Sequence, residues 1–394
     1  MFHTENRKRF IERAEGALIV VAGYDQMQLS GDMAAPFLQE SNFWWLSGIE
    51  YHGWKMIIDG ARGKSILIRP ALSQVQQIFD GGLSGDDALV LTGADDILGD
   101  DEFEHTLMQL ARAHTRVLTT VNKNEGDFCT NPAQQKLRQR LERIFKLVEP
   151  CNNQLAALRA IKQPVEIERI KKSIKITIDA FAMVRGGWHD YKAECEVEAD
   201  FTRSFRRHNA MHGYDPIVAA GPRSCTLHYH ANNQKLSRRD AVVIDIGARH
   251  AGYSADITRT YCQNPSKRVR QVHAAVAAAH NAIINLLAPD LPVVEYIKQS
   301  DEIMQDALVS LGLITSRNDT VGYRQLFPHS ISHGLGVDVH DSLGAPYYFK
   351  PGMVLTVEPG IYIPSEAVGV RIEDNILITP TGHQNLSSVL STDL

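Results

Sequence analysis

The chain has 394 residues, of which 44% are hydrophobic and 22% charged, and this composition favours a folded protein over a disordered one. The net charge of -5 and the pI of about 6.3 argue against nucleic acid or an anionic membrane as a partner. The charged N-terminus lacks an apolar signal segment, and no apolar run reaches the ~18 residues of a membrane span, so we expect a cytoplasmic protein without membrane association.

The first part of the chain predicts an α/β domain. Short apolar runs at Ala17–Ala22 and Lys64–Arg69 are typical of strands. Periodic patterns at Glu102–Ala113 and Gln134–Leu147 are typical of helices. The aromatic segment Ala35–Gly48 is interpreted as part of a core or an interface rather than as a direct substrate contact.

The second part predicts an α+β domain. Two long amphipathic helices, Pro164–Arg185 and Ala193–Asn209, come first, and the proline suits the first position of a helix. A second helix pair, Lys267–Leu287 and Val293–Leu311, separates two strand-rich regions. Since single cores stop growing at roughly 250–300 residues, we expect two domains, residues 1–152 and 153–394.

The segment Ala241–Cys262 predicts an antiparallel hairpin that carries two acidic residues. Asp245 and Asp256 lie on either side of a turn that contains Gly252. In simple register they would face one another, with Cβ atoms roughly 4.5–5.5 Å apart. An acid inside an apolar strand is costly to bury unless it is paired or bound to a metal.

A second predicted hairpin carries a second acidic pair. Met353–Glu358 and Val370–Ile378 are typical of strands, and the loop Pro364–Gly369 joins them. The midpoint between Glu358 and Glu373 falls within this loop. The two hairpins together therefore predict four converging carboxylates.

Converging carboxylates repel one another unless a cation lies between them. Oxygen ligands suit Mn²⁺, Mg²⁺ or Co²⁺, and one imidazole would add Zn²⁺ or Fe²⁺ to the candidates. Three histidines, His329, His333 and His340, fall within twelve positions between the two hairpins. We expect one of them to be a ligand and the others to handle protons, and the glycines at 334 and 336 to bring the backbone close to the site.

Around these residues the sequence resembles the pita-bread metallopeptidases, and within them the Xaa-Pro aminopeptidase and prolidase branch. The aromatic segment near the N-terminus resembles the N-terminal domain of creatinase and aminopeptidase P. The matching motifs of the second part are DIG from Asp245, ADITRT around Asp256, HSISHGLGVDVHD from His329, TVEPGIY from Thr356 and GVRIED from Gly369.

The resemblance implies an α+β protein in which an N-terminal α/β creatinase-like domain precedes a C-terminal pita-bread catalytic domain. It also implies a homodimer and two divalent metal ions. Oxygen-rich ligation with one imidazole fits Mn²⁺ best, with Co²⁺ or Zn²⁺ as alternatives. Asp245 and Asp256 would bind the first metal, with Asp256 bridging. His333 and Glu358 would bind the second, and Glu373 would bridge both.

The resemblance further implies hydrolysis of the Xaa-Pro bond at the N-terminus of proline-containing dipeptides or longer peptides. Glu358 would be the general base. His228 and His340 would contact the substrate, and His340 would stabilise the developing oxyanion. His329 would line the proline pocket, and Tyr362 and Arg371 would belong to a proton shuttle.

Several alternatives stay open at this stage. Many relatives carry an arginine after the histidine motif that binds the carboxylate of a dipeptide, whereas Ser342–Pro351 contains only Lys350, so the preferred substrate length is undecided. A creatinase-like amidinohydrolase would lack part of the ligand set, and a methionine aminopeptidase would lack the N-terminal domain. A non-catalytic binding protein on this fold would have lost ligands.

Overall fold

The computed structural model describes residues 2–121 and 129–394. The chain forms two compact units, Met1–Leu158 and Arg159–Leu394. The first combines helices with a mostly buried sheet, and the second combines long helices with antiparallel hairpins, as the sequence predicts.

Eight strands of the first unit are β1 (Leu18–Ala22), β2 (Gln28–Ser30), β3 (Met33–Ala34), β4 (Lys55–Asp59), β5 (Lys64–Arg69), β6 (Asp96–Gly99), β7 (Arg116–Thr119) and β8 (Leu147–Pro150). Its helices are α1 (Phe2–Arg13), α2 (Ser41–Ser47), α3 (Gln74–Asp80), α4 (Gly85–Thr92), α5 (Asp100–Leu110) and α6 (Ala133–Glu142), and α7 (Asn152–Ala160) follows. Six of the strands form one mixed sheet in the order β6-β5-β4-β1-β7-β8.

One prediction for this unit is confirmed, and one predicted helix is too long. The aromatic segment contributes α2, whose Phe43 and Trp45 are fully buried, and this confirms its interpretation as core. The helix predicted to reach Leu147 is too long, because α6 ends at Glu142 and Leu147 begins β8, which pairs in parallel with β7. An apolar residue every three or four positions continues into the strand, so periodicity alone could not place the boundary.

The second unit contains the helices α8 (Pro164–Gly186), α9 (Glu194–Arg207), α10 (Lys267–Ile284), α11 (Val293–Ser310) and α12 (Thr320–Leu326). Its first six strands are β9 (Met211–His212), β10 (Ile217–Ala220), β11 (Val242–Ile246), β12 (Ala248–His250), β13 (Tyr253–Ser254) and β14 (Ile257–Tyr261). Its last five are β15 (Val354–Val357), β16 (Gly360–Ile363), β17 (Val368–Arg371), β18 (Asp374–Thr379) and β19 (Gly382–Asn385).

The four helices predicted for this unit are confirmed to within three residues at each end. Helix α8 begins with Pro164, and the Glu166 carboxylate accepts a hydrogen bond from the Gln163 backbone N–H at 2.8 Å, as the sequence predicts for the first turn.

Each strand of this unit has two different faces, since successive side chains of a strand point to opposite sides. On β15, Leu355 and Val357 join the hydrophobic core, which leaves the other face for polar residues.

Candidate metal centre

Four residues of the site stand in one row across neighbouring strands. Asp245 on β11 pairs with Thr258 on β14, and Thr258 forms an isolated bridge to Glu373, between β17 and β18. The antiparallel register of β15 with β18, continued by one residue, aligns Glu358 with Glu373. Because paired residues share a sheet face, the three carboxylates and the Thr258 hydroxyl point to the same side.

The predicted direct opposition of Asp245 and Asp256 is wrong. Asp245 lies opposite Thr258, so Asp256, which directly precedes β14, is displaced by two residues from the position opposite Asp245 and reaches the same face diagonally. The turn sets this register, because its two central residues, Ala251 and Gly252, both have positive φ, as a tight two-residue hairpin turn requires.

The opposition of Glu358 and Glu373 agrees with the structure, but the strand predicted over Val370–Ile378 is broken in two. Strand β17 ends at Arg371 and β18 begins at Asp374. Between them, the Glu373 N–H donates to the Thr258 carbonyl at 3.0 Å, which ties the two hairpins together at the level of the carboxylates.

The donor atoms of all five predicted metal ligands converge. They fall into overlapping groups whose potential ligand atoms lie within 4.8 Å of one another. Two of these groups share Glu373: Asp245, Asp256 and Glu373 form one, and His333, Glu358 and Glu373 form the other. A third group joins Asp256 and His333 with His340.

Some of the carboxylate oxygens are held by hydrogen bonds. The Asp245 carboxylate accepts from the Tyr214 hydroxyl and from the Arg371 guanidinium, each at 2.6 Å. The Thr258 hydroxyl donates to Glu373 Oε2 at 2.7 Å. These contacts orient the two carboxylates while leaving the lone pairs on the other side of each group available.

Other potential ligand atoms lie close together within the cluster. Glu373 Oε1 is buried and has no hydrogen-bond partner among the described residues. His333 Nδ1 lies 3.0 Å from the Gly334 carbonyl, which can only accept, so Nδ1 carries a proton and Nε2 is the nitrogen that faces the carboxylates. That nitrogen lies 3.4 Å from Asp256 Oδ2 and 3.5 Å from Glu358 Oε1.

The pKa shifts of the site indicate that a positive charge is needed to keep its buried glutamates ionised. Burial and the charge of Asp256 raise the pKa of Glu358 to about 7, and burial with Asp256 and Glu358 raises the pKa of Glu373 well above its usual value. Burial alone would lower the pKa of His333, but Asp256 and Glu358 raise it to about 9. Oxygen-rich ligands with one imidazole and an unpartnered buried carboxylate oxygen fit divalent cations.

A hydrogen-bonded chain leads away from this cluster. Arg371, which holds Asp245, also donates to the Tyr362 hydroxyl at 2.9 Å. The same hydroxyl lies 2.9 Å from His329 Nε2. His329 Nδ1 is 2.8 Å from the Ser330 carbonyl, so Nε2 is the accepting nitrogen. Burial and the charge of Arg371 lower the pKa of His329 to about 4, which keeps this imidazole neutral.

Two further predicted site histidines lie at the exposed edge of the cluster. The His340 ring stacks on the His333 ring, with centroids 4.1 Å apart. His228 is exposed and stacks more loosely on His230, at 6.1 Å. His228 is close enough to His329 that its charge adds to the effects of burial and Arg371 on the pKa of that imidazole.

The glycines at 334 and 336 serve the loop between the two stacked histidines. A Cβ atom on Gly334 would lie 2.3 Å from the Asp341 carbonyl oxygen, and one on Gly336 would lie 2.1 Å from Asp341 Oδ2. The buried Asp341 carboxylate is held by Arg159 at 2.9 Å and by Lys162 at 3.4 Å. The glycines therefore let the loop close on Asp341, which differs from the expected approach to the site itself.

Sequence reasoning missed two residues that touch the ligands. The Tyr214 hydroxyl lies 2.6 Å from both Asp245 Oδ1 and Asp256 Oδ1. Thr258 belongs to a quoted motif but had no role assigned to it. A tyrosine outside the motifs carries no sequence signal of its contacts, because only the fold brings Tyr214 next to the hairpin.

A cluster of four carboxylates and one imidazole, with a histidine-rich rim, defines a metal-dependent enzyme. The sequence model of the protein family "Metallopeptidase family M24" matches residues 168–380, and that of "Aminopeptidase P, N-terminal domain" matches residues 3–118. The chain belongs to metallopeptidase family M24 and is an enzyme of the Xaa-Pro aminopeptidase type.

Relatives and solved structures agree along nearly the whole chain. An Xaa-Pro aminopeptidase of Escherichia coli is 29% identical over 97% of this chain and 93% of the relative. Xaa-Pro aminopeptidase 3 of Rattus norvegicus is 30% identical over 95% of this chain and 78% of the relative. The low-pH form of E. coli aminopeptidase P superposes with a TM-score of 0.88 at 26% identity, covering 100% of this chain and 96% of the other.

A further structure confirms the fold class expected from the sequence. Proline aminopeptidase P II from Yersinia pestis has a TM-score of 0.85 at 28% identity, covering 99% of this chain and 97% of the other.

Within the described residues, none of the helices is long and apolar enough to cross a membrane.

Proposed function

We propose that the enzyme uses two divalent metal ions to hydrolyse the bond between the first residue of a short peptide and a following proline. The observation that carries this proposal is the pair of ligand groups that share Glu373, since two metals with a common carboxylate need overlapping groups of this kind. The Xaa-Pro specificity rests on the relatives, which are named Xaa-Pro aminopeptidases.

Each ligand group would hold one metal. Asp245 and Asp256 would bind the first, His333 and Glu358 would bind the second, and Glu373 and Asp256 would bridge them. Four carboxylates and one imidazole fit Mn²⁺ best, and Co²⁺ and Zn²⁺ are alternatives. A zinc-substituted form of E. coli aminopeptidase P shows that such a replacement can be made in a relative.

When bound, the metals supply a water of lowered pKa and polarise the scissile carbonyl. Glu358 takes the proton of the attacking water as general base and delivers it to the leaving proline nitrogen. An amide nitrogen is a poor leaving group as an anion, so the proline nitrogen must receive this proton as the C–N bond breaks. His340, at the exposed edge of the cluster, donates a hydrogen bond to the developing oxyanion.

The remaining histidines and the hydrogen-bonded chain bind the substrate and hold protons. His329 lines the proline pocket, which its neutral state suits, and His228 contacts the peptide from the exposed side. Arg371 holds the Asp245 carboxylate, and Tyr362 connects Arg371 to His329, through hydrogen bonds of 2.6 to 2.9 Å.

The variant Glu358→Ala tests this assignment. We expect turnover of an Xaa-Pro peptide to be lost while the circular dichroism spectrum stays that of the parent, because the replacement removes both a ligand and the base. Glu168→Ala, an exposed glutamate on α8, is the matched control and should keep full activity. Activity retained in Glu358→Ala would remove Glu358 from the mechanism.

Substrate length and the competing binding-protein hypothesis need separate measurements. Turnover of Ala-Pro against Ala-Pro-Ala distinguishes a dipeptidase from an aminopeptidase, and the names of the relatives favour the latter. An intact protein without bound metal and without sensitivity to EDTA would favour a non-catalytic binder.

The assembly and the domain division are also proposals. We assign residues 1–152 to the N-terminal domain and 153–394 to the catalytic domain, and limited proteolysis tests the boundary. The homodimer expected from the resemblance is tested by light scattering of the purified protein.

A further inference from the structure

We infer that Tyr214 is a positioning residue that sets the separation of the Asp245 and Asp256 carboxylates for the metal they share. The inference rests on the proposed function, because it assigns a role toward that metal. Its hydroxyl lies 2.6 Å from Asp245 Oδ1 and 2.6 Å from Asp256 Oδ1. One O–H proton directed at two carboxylates forms a three-centre contact, which holds both acceptors at a fixed distance from one atom.

The two carboxylates need such a device because the hairpin does not align them. Asp245 pairs with Thr258 and not with Asp256, so the two acids approach diagonally across the strands. Diagonal neighbours are farther apart than direct partners, roughly 7–8 Å between Cα atoms, and their side chains have more freedom to diverge. The Tyr214 hydroxyl lies between the two carboxylates and contacts an oxygen of each.

Backbone geometry delivers the tyrosine to this place. Tyr214 follows β9, and the neighbouring Gly213 N–H donates to the Gly247 carbonyl at 2.8 Å. A Cβ atom on Gly247 would lie 1.8 Å from the Ala255 carbonyl oxygen and 3.1 Å from Tyr214 Cε1. The glycine two residues after Asp245 therefore leaves the space in which the Tyr214 ring and the strand that leads to Asp256 come together.

Each aspartate has one oxygen on Tyr214 and a different partner on the other oxygen. Asp245 Oδ2 accepts from Arg371 at 2.6 Å, and Asp256 Oδ2 faces His333 Nε2 at 3.4 Å. Removal of the hydroxyl would leave Asp245 anchored by Arg371 but would free Asp256 Oδ1. Outer hydrogen bonds of this kind typically change metal affinity by 10–100-fold.

The test is Mn²⁺ binding to Tyr214→Phe, measured by calorimetry, with Tyr253→Phe as the matched control. Tyr253, a buried tyrosine, likewise donates to a carboxylate, at 2.7 Å, but its partner Glu166 is not one of the ligands. We expect the dissociation constant to rise 10–100-fold in Tyr214→Phe and to stay within twofold of the parent in Tyr253→Phe. Equal Mn²⁺ affinity of Tyr214→Phe and the parent would overturn the inference.

Paramagnetic resonance provides a second readout that a general loss of stability would not produce. At a Mn²⁺ concentration that saturates the parent, we expect Tyr214→Phe to lose the signal of an exchange-coupled metal pair while its circular dichroism spectrum is retained. A coupled signal of parental intensity in the variant would also overturn the inference. A parent protein that binds none of Mn²⁺, Co²⁺ and Zn²⁺ would instead refute the proposed function, so the two failures are distinguishable.

Discussion

Acidification should destabilise the catalytic unit through His280, a buried histidine on α10. Its side chain is 1% exposed, and neither ring nitrogen has a hydrogen-bond partner among the described residues. Nε2 lies 3.6 Å from the Asp374 carboxylate, which Arg259 already holds at 2.7 Å. Burial is the main cause that lowers the pKa of His280 from 6.5 to about 4, and Asp374 only partly opposes it.

The sign and size of the effect follow from proton linkage. The unfolded chain binds a proton at pH 6.5 and the folded chain only near pH 4, so this contribution to stability is complete above pH 6.5 and is lost as the pH falls. At about 1.36 kcal/mol per pH unit, the loss reaches about 2 kcal/mol at pH 5 and about 3 kcal/mol at pH 4.

Urea unfolding of the parent and of His280→Leu at pH 8 and pH 5 checks this prediction. Leucine removes the titrating group and two unpartnered nitrogens, so we expect no stability loss at pH 8 and a pH dependence smaller by about 2 kcal/mol. His189→Leu, at an exposed histidine of the same unit, is the control and should keep the parental pH dependence. The same pH dependence in the parent and in His280→Leu would refute the reasoning.

Two further substitutions test contacts near the ligands. Thr258→Val keeps the shape but removes the 2.7 Å hydrogen bond to Glu373, and we expect a loss of about 1.5–3 kcal/mol in the free energy of unfolding of the metal-free protein, measured by urea titration. Gly336→Ala places a Cβ atom 2.1 Å from Asp341 Oδ2 and should lower kcat/KM by more than about tenfold, since misplaced catalytic groups cost about that much or more. Gly382→Ala, with nothing within 4 Å of the added atom, should leave kcat/KM unchanged.

Much of the site could be predicted from the chain alone. Asp245, Asp256, His333, Glu358 and Glu373 stand in motifs whose residue types and spacing indicate a metal centre, and the structure brings their donor atoms together. Acidic residues within apolar strands carry this signal because burying them without a partner is unfavourable. The helices of the second unit were predictable for a similar reason, since their apolar periodicity is long and regular.

Other features depended on the exact turn position and on contacts between hairpins. The turn at Ala251 and Gly252 moved the register so that Asp245 met Thr258, and the break at Glu373 arose from a hydrogen bond to the other hairpin. Neither could be predicted from local pattern, because a shift of the turn by one residue leaves the sequence motif intact while changing every cross-strand partner.

The sequence by itself determined which residues are the ligand candidates and which family the chain resembles, because residue type and spacing are local properties. Only the tertiary structure decided which oxygens are held by hydrogen bonds and which remain available. It alone placed the Tyr214 hydroxyl between two aspartates and the Asp341 carboxylate between two cations. These arrangements join residues far apart in the chain, and close packing of the folded unit is what brings such side chains within hydrogen-bond distance.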